Sequence, residues 1–146
     1  MNKLLFFSTL CCAFFLCNGL VAQTATKVHQ SFALSDVKNV TIDIAYPYVV
    51  ETWDGNTILL ETTIDIDNAP PTLVKMFLGA GRYKVIDQLS NDRVQFKLQS
   101  MSRKQVLTSK GPCVEKIKMH FYVPKDVILQ TLGNHKKEPQ VTSNNK

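Results

Sequence analysis

Disulfide chemistry has almost nothing to work with in this chain. Of its four cysteines, Cys11, Cys12 and Cys17 crowd the first seventeen residues, and only Cys113 stands apart. No CxxC or HxxxH spacing occurs, and the three histidines, His29, His120 and His135, are scattered. That pattern excludes the usual zinc-ligand arrangements. No metal and no cofactor is expected. Glycine is scarce at six residues, and the one close pair, Gly79-Ala80-Gly81-Arg82, follows a helical pattern instead of preceding one. A phosphate cradle sits at a helix N-terminus, so this pair reads as a helix C-cap. A Cys/His nucleophile pair needs hydrogen-bond contact. Cys113 and His120 are seven positions apart, an odd offset that puts them on opposite faces of a strand. No catalytic residue is assigned, and a non-enzymatic protein is expected.

Long apolar runs are also missing, with one exception at the start. Met1-Asn2-Lys3 is followed by Leu4 to Leu16, interrupted only by Ser8 and Thr9, and then by Asn18, Gly19, Leu20, Val21 and Ala22. A basic start, an apolar stretch of about 7–15 residues and a small residue at the cut describe a secretory signal peptide. Cleavage is placed after Ala22, with Gly19 as the competing site. The run is too short for a spanning helix, which needs about 20 apolar residues, so no membrane span remains after cleavage. Loss of the leader removes three of the four cysteines, leaving an exported chain without an internal disulfide. Such a domain must hold together by its core. The chain has 17 basic and 12 acidic residues. Without Lys3 the balance is 16 minus 12, or +4, and part of it lies near the C-terminus. No basic stripe with interleaved aromatics is present, so nucleic acid is not an expected partner. The periplasm or the outer cell surface is the expected location, and a protein or another envelope component the expected partner.

What is abundant is alternation. Val40, Ile42 and Ile44 alternate with Thr41, Asp43 and Ala45. Ile58, Leu60, Thr62, Ile64 and Ile66 alternate with Leu59, Glu61, Thr63, Asp65 and Asp67. Val94, Phe96 and Leu98 alternate with Gln95, Lys97 and Gln99; Ile117, Met119, Phe121 and Val123 alternate with Lys116, Lys118, His120 and Tyr122. A period of two marks strands with one buried and one wet face. Asp54-Gly55-Asn56 predicts a hairpin between Val49-Val50 and Ile58–Leu60, and Ser90-Asn91-Asp92 a second between Tyr83–Leu89 and Val94–Leu98. Tyr46-Pro47 predicts a bend or bulge. Pro70-Pro71-Thr72 precedes Leu73, Met76, Phe77 and Ala80, spaced at three and four, which predicts one short helix packed on the sheet. Residues 101–112 read as a connecting loop.

The acidic row Glu61, Asp65 and Asp67 on an outward strand face is either a calcium-holding row or a solvated face that deters edge pairing; a flat row converges too few oxygens, which favours the second. Trp53 beside its turn is expected to pack over it. The expected organisation is a signal peptide over 1–22, a single β-rich domain over 23–134, and a disordered basic tail over 135–146. The fold class is mainly β: antiparallel strands and hairpins in a small sandwich, or the opening part of a β-helix-like stack, with one short helix.

Three segments carry a family resemblance: Val37-Lys38-Asn39-Val40-Thr41-Ile42-Asp43-Ile44, then Val50-Glu51-Thr52-Trp53-Asp54-Gly55-Asn56-Thr57-Ile58-Leu59-Leu60-Glu61-Thr62, and Met119-His120-Phe121-Tyr122-Val123-Pro124-Lys125-Asp126-Val127. Together they resemble the adhesin-like, head-type β domains of exported proteins of Gram-negative bacteria, a family of largely unassigned function. The resemblance spans roughly residues 32–131. It implies stacked β-sheets and an adhesin-like interaction module of the cell envelope. It also marks a departure, because such domains continue past the Val-Pro strand with further small-residue rungs, whereas here a polar, basic segment follows. The alternative is a small secreted ligand-binding protein or hydrolase using a groove.

Overall fold

The computed structural model describes residues 25–34, 36–100 and 104–132. The expected signal peptide over 1–22 and tail over 135–146 lie outside the described residues. Ten strands and one helix follow in order: β1 (Thr26–Ala33), β2 (Asn39–Asp43), β3 (Tyr48–Trp53), β4 (Thr57–Asp67), α1 (Pro71–Gly79), β5 (Val85–Ser90), β6 (Arg93–Leu98), β7 (Leu107–Thr108), β8 (Gly111–Pro112), β9 (Val114–Pro124) and β10 (Ile128–Leu132). They build two four-stranded sheets and a small ribbon. Sheet A has the order β1-β4-β9-β3, sheet B the order β10-β2-β6-β5, and β7 pairs with β8. The fold is mainly β, a small sandwich with one short helix.

Alternation fixes which face each strand buries. Ile58, Leu60, Thr62, Ile64 and Ile66 of β4 and Ile117, Met119, Phe121 and Val123 of β9 are buried. They meet Val40 and Ile42 of β2 and Val94, Phe96 and Leu98 of β6. Aromatic rings join the sheets. Phe96 of sheet B stands 4.8 Å from Phe32 and 6.1 Å from Phe121, both of sheet A. Burying one such ring is worth about 1.5–3 kcal/mol, so this three-ring column contributes strongly to holding the two sheets together.

The sheets are mixed: the expected antiparallel pairs stand beside parallel ones. β10 runs parallel to β2, β2 parallel to β6, and β3 parallel to β9. The first expected hairpin is not a hairpin. The chain reverses at Asp54-Gly55-Asn56, but β9 lies between β3 and β4, antiparallel to β4 and parallel to β3. The turn is held by Trp53, whose Nε1–H donates to the Thr57 carbonyl at 3.0 Å. The half-buried indole lies across Gly55, where any Cβ would overlap the ring. Trp53 thus packs over its turn as expected, while the strands it joins are held one strand-width apart. The second hairpin forms: β5 and β6 pair antiparallel through Asn91-Asp92, with Asn91 at φ 56°. Its first strand starts at Val85 instead of Tyr83, because the preceding residues close the helix.

That closure is a Schellman motif. The Gly81 N–H donates to the Leu78 carbonyl and the Arg82 N–H to the Phe77 carbonyl, both at 3.0 Å. Gly81 occupies the left-handed region at φ 68°, where a side chain is strained. The glycine pair is therefore a C-cap, as its position after the helix predicts. Phe77 is the buried residue of α1, with Leu73, Val74 and Leu78 packed beside it. Met76, expected inward, is 59% exposed; Val74 and Leu78 take up the contact with the sheet. Residues 107–112 form the β7–β8 ribbon where a loop was expected. Thr108 Oγ1 accepts from the Lys110 N–H at 3.2 Å and lies 2.9 Å from the Asn68 carbonyl, so a threonine side chain organises a two-residue turn that composition alone does not reveal.

Candidate interaction surface

The outward positions of sheet A assemble into rows because the strands are in register. His29 of β1 faces Glu61 of β4, and Glu61 faces His120 of β9. In the next row Ser31 faces Leu59, Leu59 faces Tyr122, and Tyr122 faces Glu51 of β3. Glu61 accepts from Lys27 Nζ at 2.9 Å and lies 3.1 Å from His29 Nε2. The Lys27 ammonium first, and His29 second, hold the Glu61 carboxyl below its usual range. The same contact raises Lys27 above its usual value. His120 Nε2 lies 3.2 Å from Glu51 Oε2, outside hydrogen-bond geometry. The His120 ring stacks on Tyr122 with centroids 4.2 Å apart and planes 17° apart.

These rows frame a shallow depression of about 300 Å³. Leu59 and Tyr122 give it an apolar floor and wall, and His29, Ser31 and Glu61 a polar rim. It has an aromatic ring, an aliphatic side chain, a carboxylate, an imidazole and a hydroxyl within one hollow. Such a hollow can seat a ring or a short side chain and orient it by hydrogen bonds. Two other depressions are less equipped. One, about 370 Å³, lies among three turns at one end of the sandwich, with Lys38 and Asp126 on its lining and 3.7 Å apart; no aromatic ring lines it. A third of about 240 Å³ lies beside Gln30, Gly81 and Tyr83. There Gln30 acts as a spare peptide group. Its Nε2 donates to the Val85 carbonyl at 2.9 Å and its Oε1 accepts from the Val85 N–H at 3.0 Å. One side-chain amide thereby ties β1 of sheet A to the edge of β5 in sheet B.

A second polar cluster locks the helix to sheet A. Arg82 grips Glu115 through Nη2 at 2.6 Å and Nε at 3.2 Å, and Tyr83 Oη donates to Glu115 Oε2 at 2.7 Å. The guanidinium also lies 4.5 Å over the Phe77 ring and bonds the Lys104 carbonyl at 3.2 Å. Burial, then the hydrogen bond to Glu115, raises the Tyr83 phenol far above its ordinary value, and Glu115 raises Arg82. Every group here is engaged in holding the fold.

The residues singled out in the sequence fall as follows. Cys113 is buried, its Sγ 3.8 Å from the Asn68 carbonyl, and His120 is on the outward face of β9. The two are not brought together. Of the acidic row, Glu61 pairs with Lys27, Asp67 pairs with Lys116 at 2.8 Å, and Asp65 faces Lys116 in register. Cross-strand cations take up the row, and among the described residues no group of three or more His, Cys, Asp or Glu side chains could hold a metal ion. Among the described residues no helix is long and apolar enough to cross a membrane. Sequence reasoning missed the depression itself. Its signal was the odd-numbered side of β4 and the even-numbered side of β9, which hold Leu59, Glu61, His120 and Tyr122 outward.

No family model matches the chain, and no curated protein matches it. Among solved structures it is similar to a putative cell adhesion protein from Clostridium sporogenes (2% identity, TM-score 0.44, covering 77% of this chain and 48% of that one). It is similar also to a putative adhesin from Bacteroides fragilis (5%, TM-score 0.39, 80% and 45%) and a putative lipid binding protein from Parabacteroides distasonis (14%, TM-score 0.35, 75% and 39%). The chain spans less than half the length of each. Likenesses of this strength leave the function to the chain's own geometry.

Proposed function

We propose that this chain is an exported, non-enzymatic interaction module of the cell envelope, of the adhesin-like kind its strand motifs resemble, and that it binds through the outer face of sheet A. The observation that carries this reading is the hollow bounded by Tyr122, Leu59, Ser31, His29 and Glu61 on the outer face of a four-stranded sheet. An aromatic and an aliphatic group supply contact area with little side-chain entropy to lose, and the rim supplies direction. The leader motif at residues 1–22 supports export. The ligand is a protein or another envelope component that inserts a side chain or ring into the hollow.

A photoreactive residue placed at Ser31 tests this in the native envelope, with the same residue at Gln95, on the outer face of sheet B, as the control. The expected result is an adduct with an envelope component from position 31 alone, weakened by Tyr122→Ala. Adducts of equal strength from both positions, or none from position 31, refute the binding face. The same hollow supports a second reading, a small-ligand carrier. It is distinguished by a low-molecular-weight adduct in place of a macromolecular one.

A further inference from the structure

Among the described residues, sheets A and B have two edges each, giving four edge strands: β1 and β3 in sheet A, β5 and β10 in sheet B. An edge presents a row of unpaired N–H and C=O groups, and proteins guard such rows with charge, proline or a covering group. Three of the four are guarded here. β1 carries Lys27, and β3 carries Glu51 and follows Pro47. β5 carries Asp87 at a position paired with buried Phe96, an inward-pointing charge, and the Gln30 amide plugs its backbone at Val85. β10 reads Ile-Leu-Gln-Thr-Leu and carries no charge at all.

The direction of its backbone groups follows from one bond. The Ile128 N–H donates to the Lys38 carbonyl at 2.8 Å, on the β2 side. Backbone groups alternate along a strand, so Ile128, Gln130 and Leu132 face β2, and Leu129 and Thr131 direct N–H and C=O outward. An antiparallel copy of the same strand matches this pattern about a two-fold axis at Gln130. Leu129 then exchanges both hydrogen bonds with Thr131 of the second copy, and Thr131 with its Leu129, while the two Gln130 residues face each other as a non-hydrogen-bonded pair. The axis makes every contact twice. Gln130 is exposed on the outer face of sheet B, in the row Gln130–Thr41–Gln95–Gln88, so its amide is free to turn toward its counterpart. Ile128, on the same face and 60% exposed, flanks the axis on both sides. With no charge in the strand, no like charges from β10 are set against each other at the seam.

We propose that β10 is a strand-addition site whose occupant is a second copy of this chain, joining two B sheets into one continuous eight-stranded sheet. This leaves the outer faces of both A sheets open and does not depend on the binding face proposed above.

Sedimentation velocity of the purified protein over a wide concentration range tests it. The expected result is a reversible monomer–dimer equilibrium. Gln130→Lys sets two ammonium groups against each other at the axis, and Thr131→Pro removes one outward N–H per copy. Each should weaken the dimer at least tenfold while leaving thermal unfolding of the monomer within a few degrees. Gln130→Cys should form a disulfide between copies under mild oxidation, since Cα atoms in a non-hydrogen-bonded pair lie about 4.5 Å apart, whereas Gln95→Cys should not. A wild-type protein monomeric at every concentration overturns the proposal. So do variants that dimerise as tightly as wild type, or a dimer that appears only after residues 135–146 are removed, which would make that segment the occupant.

Discussion

Replacing Glu115 with Gln removes one charge from the cluster that joins α1 to sheet A, with almost no change of shape. Arg82 and Glu115 retain only 15% and 19% side-chain exposure, which places the pair between exposed ion pairs, worth about 0–1 kcal/mol, and buried ones, whose rupture costs about 3–5 kcal/mol. In the variant, Arg82 keeps the Lys104 carbonyl and the Phe77 ring, so it is not stranded. The phenol of Tyr83 still finds an acceptor in the amide oxygen. What is lost is the charge on three contacts at 2.6–3.2 Å. The expected cost is about 3 kcal/mol, at the low end for a buried pair. For a domain of this size about 4 °C accompanies each kcal/mol, so Tm should fall by roughly 12 °C. Urea unfolding at constant m-value checks the magnitude. Arg82→Met alone should cost a similar amount, since it takes the bidentate cationic partner away from a largely buried carboxylate. The double variant should cost about 2 kcal/mol less than the sum of the singles, the signature of groups in direct contact. Additive single effects, or a Glu115→Gln cost below about 1 kcal/mol, would refute the view that this pair fastens the helix.

Two further perturbations probe the Trp53 turn and the phenol of the same cluster. Gly55→Ala drives a Cβ into the Trp53 indole; the chain's single tryptophan should shift its emission to longer wavelength, and stability should fall by about 1–3 kcal/mol, as for overpacking, whereas an unchanged spectrum would place the ring elsewhere. Tyr83 supplies a pH dependence: its folded pKa lies far above the ordinary value near 10, so above that pH the unfolded chain releases a proton that the folded chain keeps. Fewer protons on the unfolded state means stability falls as pH rises, by about 1.4 kcal/mol per unit at most. Subtracting the Tyr83→Phe stability curve from that of wild type should leave a difference constant below pH 10 and falling above it; a flat difference would remove the phenol from the cluster.

Strand existence was legible in the sequence wherever the period of two persisted. The inward sets of β4, β6 and β9 are those that alternation names, and the helix starts and stops at its proline and glycine signals. Strand neighbours were not legible. Asp54-Gly55-Asn56 encodes a reversal, and a reversal ordinarily zips its two arms together. Nothing local in Tyr48–Trp53 or Thr57–Asp67 says that residues 114–124 will enter between them. That outcome depends on a strand which can pair antiparallel on one side and parallel on the other, a property of the assembled sheet. The surface hollow was illegible for the same reason. His29, Leu59 and Tyr122 are each ordinary outward residues, and only the register of β1, β4 and β9 brings them to one place.

The insertion of β9 also dictates an order of events. Leu59 of β4 pairs with Tyr122, and Val50 of β3 with Phe121, contacts that span more than half of the described chain. β3 and β4 meet no partner in each other; each pairs with a strand from far downstream, and sheet A is complete only when β9 lies between them. Loop closure over such distances slows folding. A chain emerging N-terminus first cannot complete sheet A until Pro124 is out.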